Sequence, residues 1–394
     1  MIAGIVTLSG LLLFGFYKYQ NYKKLKELVK NTRLTQTMPQ IAFNEVRPNS
    51  GQLKNEFLAI HPILSTPTIL SDQMIVGTLT GYIDSYDLKS GEVIWSFKKQ
   101  APVLSQAAMS KQCILIGEGL HETMISSLSC IRLSERKISW QREFLGHIES
   151  QPVVTTIKEE EIALITTGPS GLWAIKTKDG SVSWAADIGH VDSAPVVFEN
   201  KIYVLAQKDL LEPKSNLVVL ALSSGEVLKS VPIDGQPFGS IHILKDTNQI
   251  FVNTAHGQVT SPQKEDKGWI YVFSLKSLKL VWSRQIQDMI LPNAVIEKDR
   301  VFFASKLGKV HAYALKDGGL LWTKQISKEI HASPALVSNK LALTTYNGKA
   351  VLLSLEDGKE LESMDIGPNS TSSPIPYGNR IIFTSASQVL IYGK

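Results

Sequence analysis

A short pattern that ends in tryptophan recurs along this chain, and its spacing constrains the fold more than any other feature. In three copies a small residue precedes a glycine by six positions, and the tryptophan follows the glycine after four more. The complete copies are Ser85, Gly91 and Trp95, then Ala174, Gly180 and Trp184, then Ala312, Gly318 and Trp322. The partial copies are Trp140 and Trp282, which lack the glycine, and Gly225 and Gly358, which precede Lys229 and Glu362.

A second landmark follows each tryptophan position, where a small residue stands two places before a proline. The pairs are Ser65 and Pro67, Ser150 and Pro152, Ser193 and Pro195, Ala332 and Pro334, and Ser372 and Pro374. Between the landmarks lie two stretches rich in Val, Ile, Tyr and Phe and bounded by turn residues, so each stretch predicts a strand. One unit of roughly 40 residues therefore supplies four strands, which is typical of a propeller blade.

Counting these units predicts eight blades. Seven complete units run from Ile63 to Ile366, and Ser372 to Tyr392 supplies three further strands. Glu56 to Ile60 precedes Pro67 by the same interval as a tryptophan strand precedes its proline, with Phe57 in the tryptophan's place. Pairing this strand with the last three closes the ring and removes an open sheet edge. The predicted fold is an all-β, eight-bladed β-propeller with an N-terminal transmembrane helix.

The tryptophan pattern resembles the docking repeat of the PQQ-type (pyrroloquinoline-quinone, quinoprotein-like) propeller superfamily, over residues 54 to 394. This resemblance implies that the glycines turn the chain and that the tryptophans pack between neighbouring blades, where a large aromatic buries much area. The residues assigned to this structural docking are Trp95, Trp140, Trp184, Trp282, Trp322, Gly91, Gly180 and Gly318.

The superfamily has an enzymatic and a non-enzymatic branch. Quinoprotein dehydrogenases bind PQQ with calcium, and many carry adjacent cysteines, whereas Cys113 and Cys130 are the only cysteines here. A Cys-x-x-Cys-His haem motif is also missing from the sequence. The chain is more similar to the cofactor-free, BamB-like branch, although no lipidation cysteine follows its apolar N-terminus. The resemblance implies a non-enzymatic scaffold for protein partners, with no cofactor and no catalytic or metal site; a PQQ-dependent dehydrogenase and a ligand sensor are the alternatives.

The N-terminus predicts a single membrane-spanning helix. Residues 1 to 17 are almost wholly apolar, and with Lys18 and Tyr19 they would extend roughly 28 Å as a helix. No charged residue precedes Lys18 and no Ala-x-Ala site follows, so we interpret the segment as a retained anchor. The predicted domains are the anchor with its basic flank (1–33), a polar linker (34–53) and the propeller (54–394).

Charge is concentrated in the anchor segment. The first 34 residues carry a net charge of +5, which equals the formal charge of the whole chain. The propeller is therefore electrically balanced, so we expect protein partners, no nucleic acid, and a monomeric propeller. The positive-inside rule places the propeller in the cytoplasm, whereas the family resemblance implies the periplasmic side of the inner membrane, which we adopt. Cys113 and Cys130 fall on adjacent strands, and both a disulfide and buried thiols fit that position.

A second motif precedes two of the innermost strands, as Gly146-His147-Ile148-Glu149-Ser150 and Gly189-His190-Val191-Asp192-Ser193. Counting back from the proline puts His331 at the place of Glu149 and Asp192, so these groups are expected on one face near the axis. A divalent metal or an anionic ligand is one interpretation. We adopt the other, in which the motif copies a repeat and its carboxylates cap turns.

Two connections between middle strands are longer than the others, and strand order places them on the same face as the Gly-His segments. They are Gln207 to Asn216 and Asn253 to Gly268. Loops on a rigid ring are typical of a binding surface, and tolerated insertion is the alternative. The predicted partner-binding face comprises His147, Glu149, His190, Asp192, His331, Leu210, Leu211 and His256.

Overall fold

The computed structural model of the protein describes residues 56–209, 212–257, 266–290 and 293–393. The predicted anchor and linker, and Leu210 and Leu211 of the predicted face, lie outside these residues. Within them, no helix has the length and apolar character needed to cross a membrane. Their regular secondary structure consists of strands.

The described residues form 32 strands in eight sheets. Blade 1 contains β2 (Thr68–Leu70), β3 (Gln73–Gly77), β4 (Tyr82–Asp87) and β5 (Val93–Lys98); blade 2 contains β6 (Ala108–Met109), β7 (Ile114–Gly117), β8 (Ile125–Arg132) and β9 (Lys137–Leu145); blade 3 contains β10 (Val153–Ile157), β11 (Glu160–Thr166), β12 (Leu172–Lys176) and β13 (Val182–Ala186); blade 4 contains β14 (Val196–Phe198), β15 (Lys201–Ala206), β16 (Lys214–Ala221) and β17 (Val227–Asp234). Blade 5 contains β18 (Ile241–Leu244), β19 (Gln249–His256), β20 (Lys267–Ser274) and β21 (Leu280–Ile286); blade 6 contains β22 (Val295–Glu297), β23 (Arg300–Ala304), β24 (Lys309–Ala314) and β25 (Leu320–Gln325); blade 7 contains β26 (Ala335–Val337), β27 (Lys340–Thr344), β28 (Lys349–Ser354) and β29 (Glu360–Asp365); blade 8 contains β30 (Ile375–Tyr377), β31 (Arg380–Thr384), β32 (Gln388–Tyr392) and β1 (Glu56–Leu58).

Each blade is a four-stranded antiparallel sheet, and the ring closes as predicted. Seven blades use four consecutive strands, whereas the eighth has the order β1-β32-β31-β30. In that blade Glu56 pairs with Leu390 and Phe57 pairs with Val389. The eight-bladed propeller closed by the N-terminal strand is therefore confirmed.

The apolar core is a ring of eight clusters, and each cluster lies between two consecutive blades. Between blades 3 and 4, for example, Leu164 and Leu172 pack with Val204 and Leu220. The cluster between blades 8 and 1 joins Val389 and Ile391 to Met74 and Tyr86, with Phe57 packed against it. Because the middle strands are covered on both faces, they are buried over most of their length, as in β27.

Four tryptophans of the repeat dock on a glycine of the following blade. Trp140 of blade 2 lies against Gly180 of blade 3, and its Nε1 donates to the Thr177 carbonyl at 2.9 Å. A Cβ at Gly180 would lie 2.6 Å from the Trp140 ring, so glycine is required there for space. Equivalent packing joins Trp184 to Gly225, Trp282 to Gly318, Trp322 to Gly358 and Phe57 to Gly91.

This arrangement explains the partial copies of the repeat. Trp140 and Trp282 need no glycine of their own, since the glycine that receives each one lies in the next blade. Lys229 occupies the tryptophan position of blade 4, and its Nζ donates to the Ser277 carbonyl in blade 5, where Leu278 replaces the glycine. At this one contact, both the tryptophan of blade 4 and the glycine of blade 5 are replaced.

Cys113 and Cys130 form a disulfide between neighbouring strands of blade 2, with Cα atoms 5.5 Å apart. Of the two alternatives open from the sequence, the structure therefore contains the disulfide. Both cysteines are buried in the cluster that Trp140 and Phe144 share with blade 3.

Replacing both cysteines by alanine should lower the free energy of unfolding by roughly 3 kcal/mol, because a disulfide across a loop of this size restricts the unfolded chain. Urea denaturation of the wild type and of the Cys113→Ala, Cys130→Ala variant measures the difference. Reductant should move the wild-type midpoint towards that of the variant and leave the variant unchanged. A wild-type midpoint that reductant does not move would contradict the prediction.

Candidate functional site

One face of the ring carries the residues of interest. In an antiparallel four-stranded blade the second and fourth strands end on the same side, so the connections between strands two and three share a face with the connections between blades. We call this the upper face, and the opposite one the lower face. The backbone of His190, between blades 3 and 4, pairs with Gln207, where the second-to-third connection of blade 4 begins.

The two Gly-His segments approach neighbouring backbone too closely for any other residue. Gly146 has φ +94° and Gly189 has φ +97°, in the region that favours glycine. A Cβ at Gly146 would lie 2.5 Å from the Thr167 carbonyl oxygen, and one at Gly189 would lie 2.5 Å from that of Gln207. Each glycine thus fixes the histidine that follows it against the next blade.

Three imidazoles converge on the carboxylate of Asp192. His147 Nε2 lies 3.0 Å and His190 Nε2 lies 2.8 Å from Asp192 Oδ1. His121 Nε2 approaches Oδ2 of the same carboxylate at 3.4 Å. The His121 and His147 rings stack with centroids 4.5 Å apart. We call His121, His147, His190 and Asp192 the histidine cluster.

His121 comes from a different part of the fold than its partners, and the sequence analysis missed it. It lies between β7 and β8 in blade 2, whereas the other members lie in connections between blades. Its Nδ1 is 2.8 Å from Glu149 Oε1, so a second carboxylate holds the far side of the ring. No repeat pattern marks this position, and the only signal is a histidine beside Gly119 in a connection on the predicted face.

The cluster is electrostatically coupled. Burial alone raises the pKa of Asp192, but hydrogen bonds from His121, His147 and His190 outweigh it and hold the pKa well below its ordinary value. Hydrogen bonds to Asp192 and Glu149 raise the pKa of His121 to about 10. Asp192 is therefore ionised at neutral pH, and the neighbouring His121 is held in its positively charged form.

A second buried ion pair, between Lys99 and Glu118, is not part of the histidine cluster. Lys99 Nζ lies 3.4 Å from Glu118 Oε1 and donates to Ser127 Oγ and Ser129 Oγ, both at 2.7 Å. Burial lowers the pKa of Lys99, and the Glu118 carboxylate opposes this effect. Because several polar atoms surround the ammonium, we assign this pair a structural role.

Two other predicted residues, His331 and His256, do not join the cluster. His331 lies between blades 6 and 7, where its Nε2 contacts Glu329 Oε1 at 2.7 Å and its ring packs on Tyr346. In contrast to the Gly-His segments, the carboxylate of this segment, Glu329, precedes the histidine and pairs with it locally. His256 is the last residue of β19 rather than part of a loop.

Exposed apolar side chains accompany the cluster on the upper face. Leu79, Met124 and Leu307 are 52%, 62% and 37% exposed, and each lies between the second and third strands of its blade. Met124 shares its connection with His121. Exposed apolar side chains beside polar ones are compatible with a surface that binds a macromolecule.

The donor set of the cluster is suited to binding a cation. The four ligand atoms that His121, His147, His190 and Asp192 can offer lie within 4.8 Å of one another. Imidazole and carboxylate together are ligands that divalent first-row metals accept. Among the described residues, the elements that would hold a metal are thus the connection before β8 and the segments that precede blades 3 and 4.

Comparisons with known proteins agree on the architecture. A family model described as outer membrane protein assembly factor BamB matches residues 79–259 and 266–392. The crystal structure of BamB from Moraxella catarrhalis superposes with a TM-score of 0.66 at 11% identity, covering 87% of this chain and 99% of that one.

Two further solved structures share the fold at similarly low identity. Sqt1 from Saccharomyces cerevisiae gives a TM-score of 0.65 at 10% identity, covering 87% of this chain and 100% of that one. The computationally designed Ika8 protein gives 0.62 at 13% identity, covering 85% and 98%. No curated protein matches the sequence.

Proposed function

This chain belongs to the family described as outer membrane protein assembly factor BamB, and from that membership we propose that it is a membrane-tethered, non-enzymatic scaffold. Its propeller binds a protein partner on the upper face, in the assembly of envelope or outer-membrane proteins. Residues 1–33 anchor it in the inner membrane, with the apolar segment 1–19 as the transmembrane helix and a basic flank after it. The propeller lies on the periplasmic side.

The observation that carries the proposal is a rigid ring whose upper-face connections present apolar side chains to solvent, in addition to those exposed on its outermost strands. The ring is held by clusters between every pair of blades, so its connections keep fixed positions. Leu79, Met124 and Leu307 are presented to solvent from three different blades. Such separated anchors suit a protein surface, because hydrophobic contacts at several fixed points give both affinity and orientation.

The disulfide supports the periplasmic side. Disulfides form and persist in oxidising compartments such as the bacterial periplasm, and they are rare in the cytosol. Cys113 and Cys130 are joined within blade 2. The basic segment that precedes the propeller favours the opposite orientation, so a protease accessibility experiment on spheroplasts decides the side. Digestion of the propeller in intact spheroplasts is the expected result, and its full protection until lysis would contradict the proposed compartment.

Partner binding is tested by changing the upper face. Leu79→Glu with Met124→Glu places charge where apolar contact is proposed, and should abolish cross-linking of the full chain to its partner in native membranes. The matched control is Leu320→Glu, since Leu320 is 57% exposed but lies at the start of β25, an outermost strand. Mass spectrometry of the cross-linked band identifies the partner.

Two outcomes would overturn this function. The first is that Leu320→Glu reduces cross-linking as much as the upper-face variant, because the contact would then not be on the upper face. The second is that purified protein with PQQ and calcium reduces an electron-accepting dye, because that activity belongs to a quinoprotein dehydrogenase rather than a scaffold.

A further inference from the structure

We propose that the histidine cluster is a binding site for one divalent transition-metal ion, of which zinc is the best match. The ligands are Nε2 of His121, His147 and His190 and a carboxylate oxygen of Asp192. This inference is independent of the proposed scaffold function, since it rests on the geometry of the cluster alone.

The distances within the cluster approach those of a tetrahedral site. The three nitrogens lie 3.0, 2.8 and 3.4 Å from oxygens of Asp192. Zinc bonds of about 2.0 to 2.1 Å put tetrahedral ligands about 3.3 Å apart. The largest separation among the ligand atoms is no more than 4.8 Å, so small rotations of the imidazoles bring all four to one centre.

The orientation of the two buried histidines points to the same centre. His147 and His190 each have a buried Nδ1 with no hydrogen-bond partner among the described residues. Their only satisfied ring nitrogen is therefore Nε2, the one directed at Asp192. Leaving a buried polar atom unpaired costs free energy. In both rings Nε2 is therefore the nitrogen that faces the proposed ion, and Nδ1 lacks, within the described part of the chain, the hydrogen-bond partner that metal-bound histidines usually have.

A carboxylate holds the ring nitrogen of His121 that faces away from Asp192, as is usual for metal-bound histidines. Its Nδ1 lies 2.8 Å from Glu149 Oε1, so a carboxylate fixes the ring with Nε2 facing Asp192. Copying of a repeat motif does not account for this residue, because it comes from within blade 2. Its side chain is 48% exposed, which gives an ion a route into the cluster.

The charges balance once a bound ion takes the place of the proton on His121 Nε2. Three neutral imidazoles with the carboxylates of Asp192 and Glu149 carry two negative charges, which one divalent cation neutralises. Four protein ligands leave no open coordination position, so the site matches the structural rather than the catalytic class of zinc sites. A bound ion would join the connection before β8 to the segment between blades 3 and 4, and so fix three consecutive blades on the upper face.

Metal binding is measured on the full chain, purified in detergent without a histidine tag and stripped with a chelator. Titration with zinc chloride should give one equivalent per chain. Cobalt chloride should give the visible absorption of tetrahedral cobalt, which the hydrated ion lacks. Zinc should also raise the thermal midpoint of the wild type, and calcium should not.

Variants separate a built site from adventitious binding. His121→Ala removes an exposed ligand with little effect on folding, and should abolish the tetrahedral cobalt spectrum. Glu149→Gln should weaken zinc roughly 10- to 100-fold, as loss of a second-shell partner does. His331→Ala is the matched control, since it removes a histidine at an equivalent repeat position outside the cluster, and it should bind as the wild type does. Substoichiometric zinc, an octahedral cobalt spectrum, or equal binding by His121→Ala and wild type would overturn the proposal.

Discussion

A chain that begins at Leu64 should unfold with roughly 5 kcal/mol less free energy than one that begins at Glu56. The shorter chain loses β1 and the segment after it, including Phe57 and the buried Ile63. Burial of a large apolar side chain contributes about 1.5 to 3 kcal/mol. The hydrogen bond from the Ile60 amide to Tyr86 Oη, at 3.0 Å, is lost as well. Urea denaturation followed by tryptophan fluorescence measures the difference.

Point variants within β1 separate closure of the ring from a general effect of shortening the chain. Phe57→Ala should account for part of the loss, because Phe57 packs on Gly91 and Tyr86. Leu58→Ala is the control on the same strand, since Leu58 is 74% exposed. Equal denaturation midpoints for the chains that begin at Glu56 and Leu64 would show that the N-terminal strand does not stabilise the ring.

Trp140→Ala should lower the free energy of unfolding by roughly 3 to 5 kcal/mol, as truncation of a large buried aromatic does. The side chain is only 2% exposed, and its removal also leaves the Thr177 carbonyl without its donor. Chemical denaturation monitored by far-ultraviolet circular dichroism avoids the fluorescence change that the substitution itself causes. An unchanged midpoint would be incompatible with docking of Trp140 between blades 2 and 3.

A double-mutant cycle tests the contact between blades directly. Gly180→Ala should be destabilising in the wild type for two reasons, the positive φ of +73° and the clash with the Trp140 ring. In the Trp140→Ala background only the backbone cost should remain. Gly378→Ala measures that cost by itself, because Gly378 has φ +59° and nothing within 4 Å of an added Cβ. Additive effects of the two substitutions would refute the contact.

The spacing of the tryptophan and proline landmarks predicts the ring, because each blade repeats the same pattern of residues. The interval before Pro67 identifies β1, since strand positions recur at fixed distances from each proline landmark. The same repeat conceals which residues touch. Gly180 and Trp184 are neighbours in sequence, yet Gly180 receives Trp140 and Trp184 docks on Gly225. The pattern in the sequence identifies the residues that make these contacts. It does not show that the two partners of each contact come from consecutive blades.

Only part of the histidine cluster could be predicted from the sequence. The Gly-His motif identifies His147, His190 and Asp192, because two copies of it occur at equivalent places. His121 has no counterpart in another blade, so only the fold brings it to Asp192. His331 occupies the repeat position that is equivalent to Asp192. It pairs with Glu329 of its own segment and not with the cluster. Repeat position predicts the face, and local pairing decides which residues meet.

The direction of the closing strand determines where the chain enters the propeller. Leu58 leads into a segment whose Ala59 amide bonds to Ser387, in the upper-face connection of blade 8, so Glu56 lies at the lower end of that outermost strand. Glu56 is therefore the point, at the lower and outer edge of blade 8, where the described chain enters the ring. The N-terminal anchor proposed above would act on this rim of the ring and not along its axis. It would also act on the face opposite the histidine cluster and the proposed partner-binding surface.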